Sequence, residues 1–549
     1  MPPSTVIPLL VALAAAAWAL AWLRLPALPA RLAPRLEHRA APAVLGAVSA
    51  LTAWWAWGSL RAAPVFHDET AYLLQARIFA SGRWAAPSPP LPEFFEQYHV
   101  LVTPALAAKY PPGHALALAP GALMGLPGLV PVLLTGVAGA LLFWLARRFA
   151  GAWTALLAWV LWIGAPANLH WRASYFSETT SSAACLAALA AFVRWRETGR
   201  RGWLLAVAAF VGWGAVTRPL TLLAFALPLG VMVLREAWRR RAWGSVAVAA
   251  AVGVAVLAVI PLWSARTTGD WRTTPLSLYT RQYMPWDRVG FGLDSTPPLR
   301  ALPPDMEAFS AGFRNDHARY LPSAVPRAAA RRARWVALGT MRWSGVDIPP
   351  LPLETVLLAA LAACLVAGAT ARRQGATAVA AMVGVMFAAY LAYEHRAVWT
   401  LYYVELIPGV AYLCAVGFGR IVERVGRGRP EPGRRAARAA LLAAGALLPA
   451  AVANAAIEHV GSGARQAYFR AFERRVAAAP GGRLLVFIRY GPHHSVHLSL
   501  VRNEPDPAAA RVWRVYDRGA DDLRLMRAAP DRVPYLFDEA SGRLFRIAR

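Results

Sequence analysis

The chain is dominated by a succession of apolar runs, each close to twenty residues long and separated by short arginine-rich or Pro/Gly-rich breaks. About 20 mostly apolar residues are what an α-helix needs to cross a bilayer core, where each backbone N–H and C=O must be satisfied within the segment. The runs lie near 6–23, 42–60, 128–146, 152–170, 174–194, 203–217, 219–236, 242–264, 351–370, 376–393, 401–420 and 437–456, which predicts about twelve transmembrane helices. Composition agrees, because 549 residues that are 57% hydrophobic and 16% charged are too apolar for an ordinary soluble fold.

Arginine placement orients these spans. The breaks "RLPALPARLAPRLEHR", "RRFAG", "RWRETGRRG", "REAWRRR", "ARRQG" and "RIVERVGRGRPEPGRRAAR" alternate with arginine-poor ones, and the positive-inside rule makes the first set cytoplasmic. The N-terminus, an outer loop at 61–127, a large outer loop at 265–350 and the tail 457–549 then share the opposite face. The first run follows "MPPSTVIP", which has no basic residue, so it reads as a retained span rather than a cleaved signal peptide. The expected location is the bacterial cytoplasmic membrane, with the active site and tail on its outer face.

The net charge of +28 rests on arginine, since Lys109 is the only lysine among 58 basic residues. Those arginines flank apolar runs, where they set topology and meet lipid headgroups, so the charge does not imply nucleic acid. Cys185, Cys364 and Cys414 all fall inside apolar runs and form no disulfide framework or zinc spacing.

Two domains are expected: an all-α membrane domain at 1–456 and a small C-terminal α/β domain at 457–549. In the tail, "ARQAYFRAFERRVAA" has helical period, "RLLVFIRY", "RVWRVYD" and "VPYLFD" read as strands, and "DEASGR" closes a hairpin into "LFRIAR". The loop at 265–350 combines the proline-rich "STPPLRALPPD" with the basic "RAAARRARW", which reads as an interfacial helix.

The stretch most suggestive of chemistry is "FHDETAYLLQARIFASGRW". Asp68, Tyr72, Gln75 and Phe79 follow helical spacing and fall on one face. Asp68 or Thr70 is suited to cap such a helix, and Asp68 and Glu69 are both favoured at its positive end. Some forty residues later comes "KYPPGHALALAPGALMG", where the compact ammonium of Lys109 suits a phosphate.

Together "FHDETAYLLQARIFASGRW" and "KYPPGHALALAPGALMGLPG" resemble the first outer loop of GT-C superfamily glycosyltransferases, in the family 39-like branch of protein O-mannosyltransferases and the lipid A aminoarabinose transferase. The resemblance covers roughly residues 60–240 by motif and the remainder by architecture. It implies transfer of a sugar from a polyprenyl-phosphate donor to an envelope lipid, glycan or protein acceptor on the outer face, with inversion at the anomeric carbon. It also implies roles: Asp68 as general base, Glu69 as a supporting acid, Lys109 as partner of the carrier phosphate, with Tyr72 and Tyr110 in the substrate site. The chemistry is coherent, because an attacking hydroxyl must lose its proton and a departing phosphate needs a cation. His67 departs from the family pattern, which has a small or apolar residue there.

Further polar residues gather at the same membrane edge. Glu178 matches an acid that the family carries, with Arg172 as its alternative structural partner; Arg218 interrupts an otherwise arginine-poor turn and reads either as a substrate-binding residue for the carrier phosphate or as a side chain snorkelling to lipid headgroups. His395 and Arg396, in "YEHRAVWTLYYVELIPG", resemble a His/Arg-Tyr-Pro element of the family, whereas Tyr402 and Tyr403 read as an aromatic belt. His493, His494 and His497 read as an exposed turn rather than a metal site. No cofactor is expected, although Asp68 with Glu69 leaves a divalent metal open. The rival class is a transporter or flippase of lipid-linked sugars; ionisable groups collected at one face rather than at midplane favour edge chemistry.

Overall fold

The computed structural model describes residues 28–341, 352–371, 375–427 and 432–548; the run at 6–23 lies outside them. Helices α1 (Leu28–Glu37) and α2 (Ala41–Trp57) lead to α3 (His67–Ala80). Next come strands β1 (Ala86–Pro87), β2 (Val100–Leu101) and β3 (Ala105–Ala108), antiparallel in the order β1-β3-β2, and then α4 (Gly113–Leu123). The bundle continues through α5 (Leu129–Ala150), α6 (Ala152–Gly164), α7 (Pro166–Arg172), α8 (Glu178–Thr198), α9 (Arg201–Ala215), α10 (Pro219–Arg240), α11 (Trp243–Leu257) and α12 (Val259–Thr268). The large outer segment folds as α13 (Pro275–Tyr283), α14 (Pro304–Arg319) and α15 (Val325–Met341), after which α16 (Pro352–Ala369), α17 (Ala376–Ala389) and α18 (Ile407–Val425) complete the bundle.

Among the described residues five helices are long and apolar enough to cross a membrane, or seven if each of two bent pairs is one span. The pair α6 and α7 bends by 65°, where Ala165 is extended and Pro166 restarts the helix without an N–H to lose. Helix α8 occupies the expected run at 174–194, but its opening Glu-Thr-Thr-Ser-Ser and closing arginines lower its hydropathy. Helices α16 and α18 approach backbone to backbone at Gly368 and Gly417, where a Cβ would strike the carbonyls of Leu413 and Cys364. Small residues permit the close packing that helices in lipid depend on.

The tail differs from expectation in how it is joined. Helix α19 (Pro432–Ala478) is continuous for 47 residues, about 70 Å at the α-helical rise, so the expected boundary at 456 falls inside it. Its apolar first half is the last expected span, and its amphipathic second half carries the chain to the C-terminal sheet. That sheet comprises β4 (Leu484–Arg489), β5 (Val512–Tyr516), β6 (Val533–Asp538) and β7 (Arg543–Arg546) in the order β5-β4-β6-β7, with α20 (Asp522–Ala528) between β5 and β6. Pairing is parallel except for the β6/β7 hairpin.

Strand β4 is buried on both faces, which suits its unbroken "LLVFI". Leu485 and Phe487 pack with Leu74, Ile78, Phe94 and Phe95 of the first outer loop. Leu484, Val486 and Ile488 pack with Tyr279 and Tyr283 of the large loop and with Phe469 and Phe472 of α19. The tail is thereby wedged between segments 61–127 and 265–350, and its 490–499 turn reaches the space beside α3.

Candidate functional site

The first turn of α3 separates its two acids. Glu69 is buried, and its carboxylate accepts the backbone N–H groups of Val65 and Phe66 at 2.8 and 2.9 Å and of Tyr175 at 2.9 Å. Glu69 therefore caps the helix, the task the sequence pattern gave to Asp68 or Thr70, and ties the first outer loop to the start of the next. Burial raises its carboxyl above the ordinary range, and the three N–H groups resist that rise. Asp68, released from capping, keeps 30% of its side chain exposed.

The helical face expected from the sequence assembles the neighbourhood. Gln75 donates to the Trp84 carbonyl at 2.9 Å and accepts the Ala108 N–H at 3.0 Å, so one amide fastens β3 to α3. That fastening delivers the next two residues, Lys109 and Tyr110. The Tyr110 ring stacks on Tyr72 with centroids 4.6 Å apart, and its hydroxyl donates to Asp68 Oδ1. Tyr72 donates to Ser177 Oγ at 3.0 Å. Burial, followed by the carboxylates of Glu178 and Asp68 respectively, lifts the Tyr72 and Tyr110 hydroxyls well above the ordinary tyrosine range. Both phenols stay protonated donors.

These side chains line a cavity of about 900 Å³. Asp68, Tyr72, Lys109, Tyr110, Glu178 and Arg218 all reach it, so six residues singled out from the sequence meet in one place. Lys109 is nearly buried; its Nζ lies 3.4 Å from Asp287 Oδ2 and over the rings of Tyr110 and Tyr279 at 5.3 and 5.0 Å. Asp287 also accepts from Tyr393 at 2.7 Å. A cation held by one carboxylate and two aromatic faces can turn to a stronger anion.

At the deep edge of the same cavity Arg218 bridges two glutamates, Glu178 Oε1 at 2.5 Å and Glu405 Oε1 at 2.9 Å, and reaches the Tyr390 hydroxyl at 3.0 Å. Arg218, not Arg172, is thus the partner of Glu178. Arg172 is fully buried, donates to Asn168 at 2.7 Å and lies over Trp162 at 4.8 Å. Two carboxylates share this one guanidinium, and the buried Arg172 guanidinium also attracts both.

Other expected residues lie elsewhere. Glu69 stands behind the cavity wall. His395 is buried between the Tyr403 hydroxyl and the Tyr393 carbonyl, each at 3.0 Å, and Arg396 is exposed and paired with Asp316 at 3.1 Å. Both face a second cavity of about 810 Å³ on the far side of the 393–399 turn. Tyr402 lines the main cavity instead of standing in a belt, and Tyr403 is buried. His99, Asp287, Glu405 and His497 were not assigned to the site from sequence, yet His99, Asp287 and His497 line this cavity and Glu405 shares Arg218. Only Glu405 carried a readable signal, as an acid inside an apolar run. Among the described residues no group of three or more His, Cys, Asp or Glu side chains has metal-binding geometry.

No family model matches the chain, and no curated protein matches it. Among solved structures the chain is similar to ArnT from Cupriavidus metallidurans bound to undecaprenyl phosphate, at 16% identity over 92% of this chain and 91% of that one, with a TM-score of 0.49. It is also similar to the archaeal oligosaccharyltransferase AglB from Archaeoglobus fulgidus in complex with an inhibitory peptide and a dolichol-phosphate, at 14% identity over 90% of this chain and 69% of that one, with a TM-score of 0.45. At such identities and scores neither likeness tells what this chain does, which rests on the residues of its own cavity.

Proposed function

We propose that the protein is a membrane glycosyltransferase of GT-C type that moves a sugar from a polyprenyl-phosphate donor to an acceptor on the outer face of the membrane. The observation that supports this reading most directly is the convergence of Asp68, Tyr110 and Lys109 on one cavity. Asp68 offers a carboxylate with Oδ2 held by no close donor among the described residues, since His99 Nε2 stands 3.9 Å away. It takes the proton of the acceptor hydroxyl as that oxygen bonds to the anomeric carbon. The anomeric C–O bond to phosphate breaks with its electron pair leaving on the phosphate, and Lys109 exchanges Asp287 for that new charge. One displacement inverts the anomeric centre.

The Arg218 cluster fixes the floor of the cavity and the angle between α8 and α10. Its guanidinium is already held by two carboxylates, which leaves Lys109 as the main phosphate partner.

The test is turnover of a short-chain polyprenyl-phosphate sugar by the purified full-length protein in detergent. Acceptor-dependent release of polyprenyl phosphate supports the proposal. Movement of intact donor across sealed vesicles with no such release contradicts it and supports the transporter class.

A further inference from the structure

Three imidazoles stand around Asp68, and no step above uses them. His67 opens α3, His99 precedes β2, and His497 comes from the tail, in the short turn Val496–Leu498. All three line the cavity. The ring of His67 lies 6.4 Å from that of His99 and 5.4 Å from that of His497. His67 also bonds to the Val496 backbone, so the tail turn is attached to the first turn of the helix that carries Asp68.

Each imidazole has a ring nitrogen that is buried and has no hydrogen-bond partner among the described residues: Nε2 of His67, Nδ1 of His99 and Nδ1 of His497. His67 is 5% exposed. Leaving such atoms unmatched costs roughly 1–3 kcal/mol each, a cost that a ligand in the cavity would relieve after a small turn of each ring. Burial holds all three below the ordinary histidine range. A neutral imidazole offers one N–H donor and one acceptor nitrogen. That pairing matches a hydroxyl, which also donates and accepts; a phosphate or carboxylate, which accepts only, is matched by Lys109 instead.

The surroundings narrow the ligand further. Phe66 and Phe309 lie 5.3 and 5.2 Å from the His497 ring, and Tyr98 lies 4.8 Å from that of His67. Aromatic faces beside neutral hydrogen-bonding groups suit a ring that is apolar on its C–H faces and hydroxylated at its edge.

We infer that this imidazole and aromatic pocket is the acceptor subsite, that its occupant is a sugar hydroxyl rather than a peptide or a phosphate, and that His497 is a specificity-determining residue supplied by the tail. The inference rests on the transfer reading for the word acceptor, while sugar binding at the pocket stands independently of it. The tail turn is well fixed for this task. His494 Nδ1 and the Tyr468 hydroxyl meet Glu539 at 2.8 and 2.6 Å, and the same carboxylate accepts the Gly491 N–H at 2.9 Å.

The experiment uses full-length protein in a sugar-free detergent with three probes of similar length: an alkyl glucoside, a serine-containing peptide and an alkyl phosphate. Titration calorimetry without donor should show the glucoside binding, and His497→Ala should weaken it about tenfold, the effect of losing one buried hydrogen bond. His497→Gln, which keeps a donor and an acceptor, should recover part of that loss, and His493→Ala on the exposed side of the turn should leave binding unchanged. With donor present, His497→Ala should raise the KM for the glucoside by a similar factor while kcat and the donor KM stay within about twofold. Glucoside binding equal in wild type and His497→Ala, or transfer to the peptide or the phosphate with none to the glucoside, overturns the inference. If the glucoside binds as expected but no polyprenyl phosphate is released, the transfer reading fails and the sugar pocket remains.

Discussion

Asp68 and Glu178, which shares Arg218 with Glu405, face one cavity in opposite conditions. Asp68 is partly exposed, touches a neutral phenol and has no arginine beside it. Glu178 and Glu405 are almost fully buried and share Arg218. The first arrangement leaves a base free to take a proton, and the second spends its charges on each other. A carboxylate in a cleft is a candidate for chemistry to the extent that no cation already neutralises it. Glu69 makes the same point from the adjacent position, because its oxygens are consumed by three backbone N–H groups.

The largest effect expected of this difference is on folding. Arg218→Met leaves two buried carboxylates without the guanidinium that pairs them and should cost about 3–5 kcal/mol. Thermal unfolding in detergent measures it, with Asp68→Asn, at a partly exposed site, staying within about 0.5 kcal/mol of wild type. Equal destabilisation by the two substitutions would erase the distinction.

Next in size is Lys109→Gln, which removes a charge-assisted contact to the leaving phosphate worth about 1.5–3 kcal/mol, or roughly 10- to 150-fold in donor kcat/KM. In that variant Asp287, 11% exposed, keeps its Tyr393 hydroxyl but loses its cation, so a fall in unfolding temperature should accompany the kinetic loss. Glu69→Gln comes third. One amide oxygen cannot accept all three N–H groups, and a loss of about 1–2 kcal/mol of stability is expected, with kcat reduced only as far as α3 frays.

The smallest effect is a pH dependence at another paired carboxylate. Glu394 meets Arg332 at 3.1 Å in the outer 393–399 turn, and burial pushes its carboxyl up to about 7 against the pull of that arginine. A folded value above the ordinary 4.5 means that its stabilising contribution is complete below about 4.5 and is lost as pH rises through about 7. Tm should therefore fall from pH 5 to pH 8 in wild type, and Glu394→Gln should flatten part of that fall; an unchanged slope would remove Glu394 as its source.

Local pattern carried much of the site. The helical spacing of Asp68, Tyr72 and Gln75 placed one face correctly, and the isolated lysine marked the strand end that Gln75 fastens beside Asp68. What local pattern does not contain is the partner across the fold. Asp287 lies 178 residues from Lys109, and Arg218 meets Glu405 through packing of three helices, so neither pairing is a matter of spacing. Which of two adjacent acids caps the helix depended on backbone N–H groups as far away as Tyr175. The strands of the tail were legible from their apolar runs. The unbroken α19 was not, because Gly461-Ser462-Gly463, where the apolar run gives way to the amphipathic one, reads as a break yet stays helical.

The central claim is that Asp68 is the base of a sugar transfer, and single-turnover release of polyprenyl phosphate by wild type and Asp68→Asn, beside donor binding to both, tests it most directly. The account predicts a release rate lower by about 10²–10⁴ with donor affinity within about threefold. Release at the wild-type rate from Asp68→Asn would contradict it.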